Sequence, residues 1–268
     1  MNRGRETEDG RRKTERQQSL YESDPLVDQY LLFHYGTAED QLPYSFGPVN
    51  ALFYPIRCVT EFGAEIGMVE RALDLGCAVG RSTFELAKIA RTVIGIDLSQ
   101  RFIAAARQIK QTGRVVIRRI EEGEISTAIQ RELPKEIDRA RCSFAVGDAT
   151  ALPDNLGVFD LVFAANLIDR IGSPKKLLNA FPRLIRSGGH LILASPYTWL
   201  EEFTPKAEWI GGKIDRSGRP LQTIDGIRSA LESGFSLRRS VDLPFLIREH
   251  ARKFQWSVAQ ATLWRRKD

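Results

Sequence analysis

Apolar positions along the chain alternate between two patterns. Short continuous runs at 92–96, 143–146, 159–165 and 190–194 are each followed closely by a polar residue: Asp97, Asp148, Asn166 and Ser195. Between them lie stretches with one apolar face at helical spacing. Ser99 opens one (Phe102, Ile103, Ala106, Ile109), and Ser173-Pro174 opens another (Leu177, Leu178, Phe181, Ile185). An earlier run at 71–75 contains Asp74 and enters a glycine-rich turn, with Ser82 and Glu85 spaced as a capping box at the start of the next helix. Buried strands alternating with amphipathic helices predict an α/β fold with a doubly wound, mostly parallel, Rossmann-like sheet. The segments 236–243 and 255–264 have no helix between them and predict an antiparallel pair at the sheet edge. Residues 113–141 are long for a simple connection and read as an insertion, a strand plus a helix.

The rest of the chain adds two flanking regions. Residues 21–66 are aromatic and Pro/Gly-punctuated, and read as an N-terminal helical lid of the same domain (21–268). Residues 1–20 are polar and Arg-rich and read as a disordered basic tail. At 268 residues one sizeable core is expected, and the formal charge of +5 is mild and owed in good part to that tail. Nucleic-acid binding through the tail is one reading of it, and a solubilising end is the other. No apolar run approaches the ~20 residues of a membrane span. Cys58, Cys77 and Cys142 are odd in number and lack CxxC spacing, which fits a reducing cytoplasm and gives no reason to expect a metal. His34, His190 and His250 are likewise scattered.

The turn after the first run carries the most specific chemistry. Arg71-Ala-Leu-Asp-Leu-Gly-Cys-Ala-Val-Gly-Arg-Ser82 is a strand running through a glycine loop into a helix, and Asp97 ends the next strand twenty-one residues past Gly76. Such a unit binds nucleotides, with the strand-end acid placed on ribose hydroxyls. A dinucleotide fingerprint requires glycines at 76, 78 and 81, where this chain has Gly76, Ala78 and Arg81. The spacing is instead Asp-x-Gly-x-x-x-Gly, as in S-adenosylmethionine enzymes. Asp74, Gly76, Cys77, Ala78, Gly80 and Arg81 are then the loop residues of a cofactor site, with Asp97 and Leu98 on ribose. Asp148, in Val-Gly-Asp-Ala149, resembles the acid that meets the adenine amino group in class I methyltransferases, and Asn166 completes the row of strand ends.

Two later segments are candidates for the methyl-accepting side. One, Ser195-Pro-Tyr-Thr-Trp-Leu-Glu-Glu-Phe-Thr-Pro205, leaves a core strand. The other, Phe245-Leu-Ile-Arg-Glu-His-Ala-Arg-Lys-Phe254, is expected to loop over the same sheet edge. Tyr197, Trp199 and Phe203 can stack on a planar ring, and Arg248 or Arg252 can hold a carboxylate. Glu201, Glu202, Asp169 or His250 can serve as base, and Lys253 or Arg57 can face a thiolate on charge alone. Packed aromatics and a solvated charged hairpin are the alternative reading of both segments.

These strings, together with Leu31-Leu-Phe-His-Tyr-Gly36, Phe46-Gly-Pro48 with Pro55-Ile-Arg-Cys58, Ala164-Ala-Asn-Leu-Ile-Asp-Arg170 and Trp209-Ile-Gly-Gly212, resemble the methyltransferase part of ovothiol synthase. The resemblance runs from about Tyr21 to Arg266. It implies a class I S-adenosylmethionine-dependent methyltransferase, with S-adenosylhomocysteine as product and no metal. It implies methylation of an imidazole nitrogen of 5-thiohistidine (4-mercaptohistidine), giving ovothiol A. In fused family members an iron-dependent sulfoxide synthase precedes this part, whereas here only Met1 to Leu20 does. The chain is therefore expected to be a stand-alone enzyme, or a fragment, linked functionally to a separate sulfoxide synthase. Another small imidazole or thiol as acceptor, or an RNA-binding or RNA-methylating protein, are the alternatives.

Overall fold

The apolar runs become strands side by side in a computed structural model that describes residues 24–215 and 217–268. In chain order the strands are β1 (Val69–Leu75), β2 (Ala90–Asp97), β3 (Arg114–Glu122), β4 (Ile125–Glu132), β5 (Cys142–Val146), β6 (Phe159–Ala165) and β7 (Ile185–Ser195). They are followed by β8 (Lys213–Ile214), β9 (Pro220–Leu221), β10 (Phe235–His250) and β11 (Lys253–Arg266). The helices are α1 (Asp24–Tyr35), α2 (Ala38–Gln41), α3 (Tyr54–Ile66), α4 (Arg81–Leu86), α5 (Gln100–Thr112), α6 (Pro174–Leu184) and α7 (Thr223–Leu231). The tail reading for residues 1–20 lies outside the described residues, as do the first residues of the lid.

The main sheet has the order β10-β11-β7-β6-β1-β2-β5. Strands β5, β2, β1, β6 and β7 are parallel, while β11 runs antiparallel to both β7 and β10. This is the Rossmann-like, class I methyltransferase arrangement with an antiparallel edge hairpin. It closes both faces: Phe62, Phe84 and Phe102 pack on one side, and Phe181, Ile227 and Leu231 on the other. Helix α5 forms as its pattern predicts, since Ser99 accepts from the Phe102 amide at 3.1 Å and Gly113 ends it in the left-handed conformation. Helix α7 was not anticipated, because its nine residues bury only Thr223, Ile227 and Leu231. Strand order reverses at β1, whose neighbours are β2 and β6, and this switch point opens a crevice at the strands' carboxyl ends.

Two segments differ from expectation. The insertion is a β-hairpin, with β3 pairing β4 around Gly123 at φ +55°, followed by a 3₁₀ turn at Arg139–Arg141. Charged residues on its outer side conceal a two-residue period that satisfies cross-strand pairing, not a helix. The segment read as a loop at 244–253 is mostly strand. Gln260 pairs with Ser195, the last residue of β7, and beyond that point β10 and β11 continue as a two-stranded arm to the His250–Lys253 pair, with a register shift after Arg248.

An ionic cluster fastens the arm to the hairpin and the N-terminal segment. Arg248 donates to the Asp40 carbonyl and to Glu121 Oε2, each at 2.7 Å, and the Ala251 amide donates to the Glu121 carbonyl at 3.1 Å. Asp40 accepts from Arg119 at 2.9 Å, Arg131 at 2.7 Å and the Thr37 amide at 2.9 Å. The three cysteines are buried and free. Among the described residues no helix is long and apolar enough to cross a membrane, and no group of three or more His, Cys, Asp or Glu side chains is arranged to hold a metal ion.

Candidate active site

Left-handed backbone shapes the turn after β1. Gly76 has φ +71°, Ala78 +47° and Gly80 +90°. A Cβ on Gly80 would lie 2.8 Å from the Phe144 ring, so space as well as φ favours glycine there, whereas one on Gly76 would press on the Leu167 side chain at 3.0 Å. Gly80 is also the N-cap of α4, so Ser82 and Glu85 do not form a capping box. Ser82 and Thr83 instead donate to Asp74 Oδ2, each at 2.7 Å, and Glu85 pairs with Arg81 and Lys88. Asp74 is 0% exposed and its Oδ1 has no partner. Burial raises its pKa to about 6, with the charge on Asp97 adding to the effect.

Asp97 ties this loop to the end of β2. Its Oδ2 accepts from the Ala78 amide and its Oδ1 from the Ser99 amide, each at 2.9 Å. Past β5, Asp148 Oδ1 accepts from the Thr150 amide at 2.7 Å and from its hydroxyl at 2.8 Å. Local turns thus fix both carboxylates at the strand ends.

Above these ends lies a cavity of about 360 Å³. The expected cofactor residues Gly76, Ala78, Asp97, Leu98, Asp148, Ala149 and Asn166 line it. Asp74, Cys77, Gly80 and Arg81 do not. They lie buried in and under the turn, where they shape the loop and make no wall of the cavity. The helical segments add Tyr30, Phe33 and His34 from α1, Tyr54 and Pro55 from α3, and Phe102 from α5. Phe33 stacks on Tyr54 with centroids 6.1 Å apart, and Tyr30 sits 4.8 Å from Phe102. The Tyr54 hydroxyl donates to Asn166 Oδ1 at 2.9 Å, and Asn166 itself is held at φ +51° by its amide bond to the Ala194 carbonyl. Arg170, Ile171 and Ser173 follow from the β6–α6 connection, Lys176 from the first turn of α6, Phe203 and Pro205 from the loop after β7, and Ile247 from the arm.

Of the residues expected to hold or deprotonate the acceptor, Phe203 alone lines this cavity. Asp169 is 0% exposed and accepts from the Ser195 hydroxyl at 3.0 Å and the Thr198 amide at 2.8 Å. Burial raises its pKa, but its geometry makes it a brace for the loop after β7. Tyr197 donates to Gln260 at 3.0 Å, and Trp199 donates to Thr223 at 2.8 Å while stacking on Trp209. Glu201 and Glu202 are exposed on a turn. Arg57 spends its guanidinium on the Leu52 and Pro244 carbonyls, and Arg248 on the ionic cluster. His250 accepts from the Arg252 amide at the arm's tip, Lys253 pairs with Glu249, and Arg252 lines a separate surface groove with Tyr44, Phe46 and Trp256. The expectation therefore erred in treating the arm as a loop: continuing the ladder carries its charged tip away from the strand ends. Tyr30, Phe33 and His34 were missed although they share one helix face at i, i+3 and i+4. Tyr54 was signalled only by the Pro55 that starts its helix.

Residues 68–219 match the family described as Methyltransferase domain. Among solved structures, the N-methyltransferase NodS from Bradyrhizobium japonicum WM9 in complex with S-adenosyl-l-homocysteine aligns over 90% of this chain and 99% of its own, with TM-score 0.52 and 14% identity. A structure described as conversion of a disulfide bond into a thioacetal group during echinomycin biosynthesis aligns over 79% and 81%, with TM-score 0.52 and 16% identity. At such identities the likeness carries the fold alone. No curated protein matches the chain. The family match spans more than half of the sequence, from the strand before the glycine loop to the residues beyond the cavity's last loop, and the chain belongs to the methyltransferase-domain family.

Proposed function

We propose that this chain transfers the methyl group of S-adenosylmethionine to an imidazole nitrogen of 5-thiohistidine, giving ovothiol A, and receives its substrate from an iron-dependent sulfoxide synthase. One observation carries the reading. Five of the strings that resemble the methyltransferase part of ovothiol synthase are far apart in sequence, yet each supplies residues to one cavity, whereas Phe46-Gly-Pro48 and Trp209-Ile-Gly-Gly212 do not line it. The five supply Phe33 and His34, Pro55, Asn166 and Arg170, Phe203 and Pro205, and Ile247. The cofactor fits the residues present: Gly76 and Ala78 of the turn line the cavity in left-handed backbone, and Asp97 and Asp148 stand in it at adjacent strand ends.

When bound, S-adenosylmethionine supplies an electrophilic methyl on a sulfonium and leaves as S-adenosylhomocysteine. The new bond joins a ring nitrogen to the methyl carbon, the electron pair of the broken bond stays on sulfur, and the ring then releases a proton. The chain's own contribution is placement, an effect that supplies as much as ~7–11 kcal/mol. Tyr30, Phe33 and Tyr54 give the cavity an aromatic wall suited to a planar ring beside a cation. Arg170 and Lys176 line the cavity and take the carboxylate-binding role first expected of Arg248 and Arg252. The test is incubation of the purified chain with S-adenosylmethionine and 5-thiohistidine, histidine or bulk RNA, followed by mass spectrometry. A methyl added to 5-thiohistidine in preference to the others is the expected result, and its absence rejects this acceptor.

A further inference from the structure

The reaction as proposed gives no role to the imidazole of His34. His34 lies in the last turn of α1 and its ring lines the cavity. It is 8% exposed, and its Nδ1 is buried without a hydrogen-bond partner. Aromatic rings enclose it, with centroids 5.4 Å away at Phe33, 5.9 Å at Tyr30 and 6.2 Å at Tyr35.

The ring's surroundings specify its charge. A helix C-terminus favours a protonated imidazole. Burial overrides this, helped by the neighbouring Arg81 charge, and drives the pKa to about 3. The ring is therefore neutral throughout the physiological range, with one nitrogen a donor and the other an acceptor. A phenyl ring would fill the same slot without stranding a polar atom, so packing alone gives no reason for an imidazole here. A ligand in the cavity does.

We infer that His34 binds the methyl acceptor: its neutral ring accepts a hydrogen bond from the N–H of an azole in the cavity. A neutral azole carries its proton on one ring nitrogen at a time. Holding that N–H on His34 leaves the acceptor's other nitrogen with its lone pair free for attack. His34 thus selects the tautomer, and with it the nitrogen that is methylated. The inference rests on the proposed reading in one respect, that the acceptor is an azole.

The experiment uses protein loaded with S-adenosylhomocysteine and isotopically labelled at histidine nitrogen. It is titrated with imidazole and, separately, with 5-thiohistidine, while NMR follows the His34 ring. A saturable shift of its lone-pair nitrogen is expected with both probes. His34→Phe should bind both probes at least tenfold more weakly, yet bind S-adenosylhomocysteine within threefold of the unaltered protein and melt no lower. His34→Asn places an amide near Nδ1 and His34→Gln places one near Nε2, so recovery of binding in one of them identifies the accepting nitrogen. No shift with either probe, or a His34→Phe protein that binds both within threefold, overturns the inference. If imidazole moves His34 and 5-thiohistidine does not, the acceptor named above is rejected while the role of His34 stands.

Discussion

The Tyr54 hydroxyl donates to Asn166 Oδ1 at 2.9 Å, joining the first turn of α3 to the end of β6. One partner precedes the sheet in sequence and the other ends one of its central strands. The bond holds Asn166 Oδ1 toward Tyr54 and leaves the side-chain NH2 for a ligand. Tyr54→Phe should lower kcat/KM for the acceptor roughly tenfold, about 1.4 kcal/mol, as expected for one lost hydrogen bond. Steady-state rates at saturating cofactor measure this, with S-adenosylhomocysteine affinity holding steady. An equal fall in cofactor affinity would assign the bond to the glycine loop instead.

Asp97 holds the Ala78 and Ser99 amides and faces the cavity. Asp97→Ala should weaken S-adenosylhomocysteine binding roughly thirtyfold, about 2 kcal/mol, the range for hydrogen bonds to a charged group. Titration calorimetry reads it directly. Unchanged affinity would remove Asp97 from the cofactor site.

Asp74 makes stability depend on pH. Its folded-state pKa of about 6 lies above the ordinary 3.8, so the folded chain binds this proton more tightly. The stability it provides is complete below the ordinary value and is lost as pH rises through about 6, a difference of ~3 kcal/mol at neutral pH and above. Asp74→Asn keeps an acceptor for Ser82 and Thr83 without the charge. It should melt above the unaltered protein at slightly alkaline pH, with the advantage shrinking as pH falls toward 4. A pH-independent offset would mean that Asp74 does not titrate in this window.

Arg248 belongs to the framework. Its side chain is 2% exposed and serves the Asp40 carbonyl and Glu121. Glu121 is a quarter exposed and keeps Arg119, so Arg248→Met should cost about 2 kcal/mol, less than the loss of a fully buried pair. Denaturant unfolding should show the loss while KM for the acceptor stays within twofold. A large rise in KM with unchanged unfolding would return Arg248 to the carboxylate-binding role.

The parallel strands and the cofactor loop were legible because their signals are local. Continuous apolar runs mark strands buried on both faces, and glycines mark a turn that a side chain would block. The acceptor wall was harder to read. Trp199, Arg57 and Arg248 have the chemistry of ligand contacts, yet each finds its partner within the fold: Thr223, the Leu52 carbonyl and Glu121. Tyr30, Phe33 and His34 look like an ordinary core stripe, and only tertiary packing turns them toward a cavity. Whether a polar or aromatic residue is consumed internally or presented to a ligand depends on contacts across more than a hundred positions, as between Tyr54 and Asn166.

The ionic cluster around Asp40 has a bearing on how such a protein can change through descent. The residues matching the wider family begin at 68, whereas Tyr30, Phe33, His34 and Tyr54 all precede them. The segment ahead of the family match thus supplies one wall of the cavity, while Arg170, Lys176 and Phe203 supply another from within it. An exchanged leading segment can reshape that one wall, provided it still offers Arg119, Arg131 and Arg248 something to grip. The clamp is the fitting that such an exchange must preserve.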